Sequence, residues 1–153
     1  MEHELQRLEA WAGALIGRLA PGERRRAAAA VATGLRRAQA QRIARQQNPD
    51  GSAYAPRKPR PASRGKAGRI RRSMFVRLRT ATWLRQRATP EAAVVEFAAR
   101  VQRIARVHQE GLVDAVGPHG PRVRYPRRVL LGFTREDEAM IRDLLLRHII
   151  DRE

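Results

Sequence analysis

Histidine, serine and carboxylate side chains are the groups whose spacing could support catalysis or metal binding, and the chain arranges none of them for it. The four histidines, His3, His108, His119 and His148, do not fall into a ligand spacing such as His-Glu-x-x-His. His148 lies on the apolar stripe of a helical segment, where a lone histidine is a packing residue. His108, Gln109 and Glu110 are consecutive, so on a helix they point about 100° apart and cannot converge. Glu136, Asp137 and Glu138 suit the first turn of a helix, where negative charge meets the positive end of the dipole, better than an acid/base pair. Ser52, Ser63 and Ser73 lack a Gly-x-Ser-x-Gly elbow. Gly65-Lys66 lacks the preceding glycine and the following hydroxyl of a phosphate-binding loop. With no cysteine in the chain, disulfides, iron–sulfur clusters, thiolate zinc sites and thiol nucleophiles are excluded. The residues predict no catalytic group, no metal, no cofactor and no small-molecule substrate.

Charge is the stronger signal. The 153 residues hold 32 Lys and Arg against 15 Asp and Glu, a net +17. Lys58 and Lys66 are the only lysines, so 30 of the basic residues are arginine. Between Gly51 and Pro90 there are twelve basic residues and no acidic one. Eight of them, Arg57, Lys58, Arg60, Arg64, Lys66, Arg69, Arg71 and Arg72, crowd a stretch rich in proline and glycine and are the candidate docking or phosphate contacts. Such a run binds polyanions in a salt-sensitive way, or forms guanidinium–carboxylate pairs with an acidic protein. GC-rich coding also raises arginine, and composition does not separate these sources. No helix-turn-helix, zinc finger, basic zipper or RNA-recognition signature accompanies the charge. A sequence-nonspecific nucleic-acid-binding module and an adaptor for an acidic partner therefore both stay open.

Length and hydropathy set the frame for these residues. About 150 residues bury roughly 70% of the surface the unfolded chain exposes, enough for one domain spanning 1–153. Apolar residues make up 42% of the chain but aromatics only 5%, which predicts an aliphatic core and argues against an aromatic-lined ligand pocket. Apolar runs such as Ala27 to Ala32 fall far short of the ~20 residues of a membrane span. The acidic start, Met1-Glu2-His3-Glu4, does not read as a signal peptide, and synthesis in the cytoplasm is expected.

Leu5, Leu8, Ala12, Leu15, Ile16 and Leu19 recur at helical spacing. Ala20-Pro21-Gly22 then breaks the pattern, and Pro21 opens a second helix to about Gln46, with Ala28, Val31, Leu35 and Ala38 on its buried side. Asn48-Pro49-Asp50-Gly51-Ser52 is a turn, and an exposed basic arm is expected over about 48–68. A short helix is expected over Arg69 to Leu78, with Ile70, Met74, Phe75 and Leu78 on one side. Ala81 to Ala88 and Ala92 to Phe97 read as a hairpin around Thr89-Pro90-Glu91. Ala98 to Gln109 reads as a helix capped by Gly111. Val123 to Tyr125 and Val129 to Leu131 are candidate short strands. Thr134, with Asp137 three residues on, opens a last amphipathic helix through a capping box. The class is α+β: an N-terminal helical hairpin, a small antiparallel β-sheet packed with helices, and a C-terminal helix.

Four segments in this order carry a resemblance: Asn48 to Ser52 with Tyr54 to Lys58, Met74 to Arg79, Arg103 to Gly111, and Tyr125 to Gly132. Together they resemble the phage virion morphogenesis family, the tail-completion proteins of Mu-like and related contractile-tailed phages, over about residues 5–150. The resemblance implies a non-enzymatic structural protein acting in tail completion and head–tail joining at the head-proximal end of the tail. It implies other neck and tail proteins (tail tube, terminator or connector) as partners, nonspecific DNA contact as an option, and a homo-oligomeric ring, most simply a hexamer. It places the protein in the virion, assembled in the host cytoplasm. It brings no catalytic residues. Ile104-Ala105 is expected to pack a helix on the sheet, and Leu130-Leu131-Gly132 to return the chain to the core.

Overall fold

The computed structural model describes residues 2–58 and 73–151. The described elements are helices α1 (Glu2–Ile16) and α2 (Pro21–Ala44), strands β1 (Leu84–Ala88) and β2 (Ala93–Phe97), helix α3 (Ala99–Glu110), strands β3 (Val113–Ala115) and β4 (Arg122–Arg124), and helix α4 (Arg135–Ile150). They form an α+β fold with two separate two-stranded sheets, β1–β2 and β3–β4, where one small sheet was expected. The chain divides into two compact units: unit 1 holds residues Met1–Ala38, Gln86–Glu96 and Phe133–Glu153, and unit 2 holds Gln39–Arg85 and Phe97–Gly132.

Unit 1 is held by aliphatic burial. Leu8 of α1, Ala27, Val31 and Leu35 of α2, and Ile141 and Leu145 of α4 form its buried cluster, with Trp11, Val95, Phe133 and Leu144 packed against it. The helical spacing of these residues is what turns three stripes inward. Val31 and Leu35 are buried as expected, whereas Ala28 and Ala38 are only half-buried and Ala27 and Gln39 take their places on the buried side of α2. Gly34 leaves room where a Cβ would lie 3.0 Å from the Met140 sulfur. The capping box of α4 is complete: Thr134 accepts from the Asp137 N–H and Asp137 accepts from the Thr134 N–H, each at 3.0 Å. Gln86 of β1 donates to the Thr33 hydroxyl of α2 at 2.7 Å, and Thr89 and Ala92 exchange the backbone bonds that close the β1–β2 turn.

Unit 2 buries Ile43, Leu84 and Leu130 completely, but it also buries Gln39, Arg42 and Arg128. Helix α3 ends as expected, with Gly111 at φ 67° and its N–H on the Val107 carbonyl; only glycine takes that conformation without strain. A Cβ there would also meet Arg127 at 3.1 Å. Strands β3 and β4 pair antiparallel, Val113 opposite Arg124 and Ala115 opposite Arg122.

Four expectations are corrected in unit 2. Over residues 73–78 the described chain forms bends and turns rather than the expected helix, and β1 begins at Leu84 rather than Ala81; Arg69, Ile70, Arg71 and Arg72 lie outside the described residues. The helix is displaced by Gln46, whose amide donates to the Met74 carbonyl at 2.9 Å and accepts from the Met74 N–H at 2.7 Å. With those two groups taken, a helical hydrogen bond at Met74 has no partner left, and Phe75 turns to φ 66°. Val129 to Leu131 is not a strand, because side chains have replaced a neighbouring strand as its partner. Ile104 does not pack on a sheet: it is 52% exposed, while Ala105 beside it is buried.

Candidate docking surface

The turn from Asn48 to Ser52 sets the direction of the basic segment. Gly51 adopts φ 87°, its N–H meets the Asn48 carbonyl at 2.9 Å, and Asp50 accepts from the Ser52 N–H and hydroxyl. Those two bonds hold the Asp50 carboxyl below its usual range. The segment expected as an exposed arm starts later than the sequence indicates. Tyr54 is buried, because its hydroxyl donates to the Val129 carbonyl at 2.9 Å and its N–H to the Gln46 carbonyl at 2.8 Å. Arg128 then holds the next two carbonyls, Ala55 at 2.8 Å and Pro56 at 3.2 Å. Arg57 and Lys58 follow and are exposed. The other six candidate contacts, Arg60, Arg64, Lys66, Arg69, Arg71 and Arg72, lie outside the described residues.

The stretch Arg128 to Gly132 anchors that segment, and side chains satisfy its backbone. The Arg42 guanidinium donates to the carbonyls of Val129 at 3.0 Å and Leu130 at 2.9 Å, and to the side-chain oxygen of Gln39. Gln39 accepts from the Gly132 N–H as well. Asn48 accepts from the Val129 N–H at 2.9 Å. Gln109 accepts from the N–H groups of Leu130 and Leu131 and donates to the Leu131 carbonyl. Burying the N–H and C=O groups of Val129 to Leu131 is tolerated because each has a partner.

Beside it runs a ladder of rings. Tyr54 meets Phe75 at 5.8 Å, Phe75 meets His108 at 4.8 Å, and His108 meets Tyr125 at 5.1 Å, all edge to face. The scarcity of aromatics in the composition concealed this local concentration. Arg128 has only donors, so the 3.4 Å contact with His108 Nδ1 assigns the ring its neutral form with the proton on Nε2. Burial first, then the charges of Arg128 and Arg57, push the His108 pKa down to about 4. Burial and the Arg57 charge also lower that of Arg128. His108 at neutral pH is therefore an uncharged packing group beside two fixed cations.

The larger pattern is the distribution of charge. Unit 1 has 12 basic and 12 acidic residues, whereas unit 2 has 20 basic and 3 acidic, so unit 2 carries the entire +17. All three carboxylates of unit 2 are engaged: Asp50 at the turn, Glu110 with Arg106 at 3.2 Å, and Asp114 with Arg103 at 2.6 Å. Among the described residues no group of three or more His, Asp or Glu is placed to hold a metal ion, and no helix is long and apolar enough to cross a membrane. An open cleft of about 310 Å³ in unit 1, lined by Leu19, Glu23, Arg26, His148 and Asp151, has no convergent catalytic set. His148 there bonds back to the Leu144 carbonyl at 3.2 Å.

The geometry defines an α+β protein with an electroneutral unit and a strongly cationic one, whose exposed chemistry suits attachment to an anionic surface. The profile of the phage virion morphogenesis family matches residues 3–150, and the chain belongs to that family. It is 43% identical over 148 residues to tail completion protein S of Escherichia phage P2, covering 96% of this chain and 98% of that one. No solved structure matches it.

Proposed function

We propose that this chain is a non-enzymatic structural protein of a phage virion that completes the tail and prepares its head-proximal end for joining to the head. The observation carrying this reading is the 43% identity to a tail completion protein along nearly the whole length of both chains. The cationic unit 2 supplies the means of attachment, with Arg57 and Lys58 and the basic residues after them contacting a neighbouring tail or neck protein. One domain spanning the chain, a homo-oligomeric ring with sixfold order, and assembly in the host cytoplasm before incorporation into the virion belong to the same reading.

The test is removal of the chain from a phage that encodes it. The expected result is DNA-filled heads and separate tails in electron micrographs, with infectivity restored when the gene is supplied in trans. A normal yield of joined, infectious particles without the chain would overturn the reading.

A further inference from the structure

Strands β3 and β4 contribute only three residues each, and a sheet this small needs a layer against one of its faces. Successive residues of a strand point to opposite faces. Asp114 turns to the α3 side, where it takes the Arg103 guanidinium at 2.6 Å, with Val123 opposite it in the register. The other face therefore carries Val113, Ala115, Arg122 and Arg124, paired across the strands as Val113 with Arg124 and Ala115 with Arg122. On this face Val113 is 40% exposed and both arginines are exposed. Arg124 is steadied by donating to the Gly111 carbonyl at 3.3 Å.

We infer that this outer face of the β3–β4 hairpin is a docking surface for an acidic protein of the virion, with Arg122 and Arg124 pairing with carboxylates around an apolar contact at Val113. The inference rests on the proposed structural role and names the partner chemistry within it. Charge complementarity fixes the sign of the partner: unit 2 carries 20 cations against 3 carboxylates, and Asp114, the carboxylate whose titration Arg122 influences, is already paired with Arg103. Val113 fixes its class. Protein interfaces combine apolar contact with arginine and are depleted in lysine, whereas a phosphate backbone offers valine nothing to pack on.

The experiment uses the full chain and nuclease-treated tails purified from a phage lacking this gene, with binding read by co-sedimentation. A short DNA duplex serves as the second probe. Wild-type protein should bind the tails. Arg122→Glu with Arg124→Glu should weaken that binding by about tenfold or more, and Val113→Ser should weaken it several-fold while leaving duplex affinity unchanged. Reversing two exposed arginines of unit 1, Arg25→Glu with Arg37→Glu, changes net charge equally and should leave tail binding intact. Thermal melting confirms that each variant is folded, and Arg122→Gln with Arg124→Gln replaces the double reversal if it is not. Equal losses from the unit 1 and hairpin reversals would overturn the inference. So would binding to the duplex alone, or tail binding indifferent to Val113→Ser. If deletion of the gene blocks joining while the hairpin variants still bind tails normally, only this inference falls. If deletion leaves joining intact, the proposed function falls as well.

Discussion

Unit 1 and unit 2 are built by the same chain on opposite principles. Unit 1 balances 12 cations with 12 anions and closes around Leu8, Val31, Leu35, Ile141 and Leu145. Its holding force is apolar burial, which is non-directional and insensitive to which polar residues surround it. Unit 2 carries 20 cations and 3 anions and threads Arg128 to Gly132 through a cage of Gln39, Arg42, Asn48, Tyr54 and Gln109. To an apolar core that includes Ile43, Leu84 and Leu130 it adds directional hydrogen bonding from side chain to backbone, which fails when a single donor is lost. The contrast teaches what an excess of one charge demands: a surface with so many uncompensated guanidiniums repels itself, and directional bonds added to the apolar core hold such a chain in one conformation.

The largest expected effect tests unit 1. Leu145→Asp places a charge in apolar surroundings and should cost about 4 kcal/mol or more, leaving unit 1 unfolded in circular dichroism; a soluble variant with a normal melt would refute the apolar account. Next is Arg42→Met in unit 2, which strips the Leu130 carbonyl of its donor and should cost about 3 kcal/mol in thermal or urea unfolding. A neutral or stabilising outcome would mean that unit 2 is held by apolar packing alone. Gly111→Ala, at φ 67° and 3.1 Å from Arg127, should cost about 2 kcal/mol, with Asn recovering part of it. A smaller effect comes from His108. It protonates near 6.5 in the unfolded chain but only near 4 when folded, so the unfolded state binds the proton first. Stability is then lost as pH falls from 6.5 toward 4, by about 1 kcal/mol after allowance for the part of the ring that meets solvent. His108→Phe should flatten that window, whereas Asp50 and Asp114, already lowered, titrate beneath it. The smallest effect on stability and the largest on assembly come together in Arg57→Glu with Arg60→Glu. The melting temperature should stay within about 1 °C of wild type, while head–tail joining is lost. A strongly lowered melt would make those residues part of the fold, and normal joining would remove them from the docking surface.

Unit 1 was readable because its information is periodic. The stripes of α1 and α4, the Thr134–Asp137 box and the short β1–β2 turn each announce themselves within a few residues. Gly111 was readable for the same reason. What escaped in unit 2 is carried by pairs far apart in sequence. Gln46 and Met74 are 28 residues apart, and their bonds replace the expected helix with turns. Arg42 and Leu130 are 88 apart, and Arg42 looks like any of the 30 arginines unless one notices that Val31, Leu35, Gln39 and Arg42 continue a single helical stripe into polar residues. A polar residue extending an apolar stripe was the available signal for the cage. Only Arg57 and Lys58 of the eight candidate contacts can be placed, at the end of a segment that begins buried rather than exposed. The β3–β4 face left no sequence signal, since Val113 and Arg124 meet only through strand register.

Gln46 touches the chain at two distant places. Its carbonyl accepts from the Tyr54 N–H and its side chain grips Met74 at both backbone atoms, so one residue fastens together the two ends of a twenty-residue excursion. In polymer terms, the entropy of bringing two chain ends together grows only with the logarithm of the length between them. Doubling that length would cost roughly 0.6 kcal/mol. The fold therefore sets almost no limit on how long this basic segment is or how its charges are spaced. A change in the length or charge of that segment can leave the clasp at Gln46, and with it the rest of unit 2, the same.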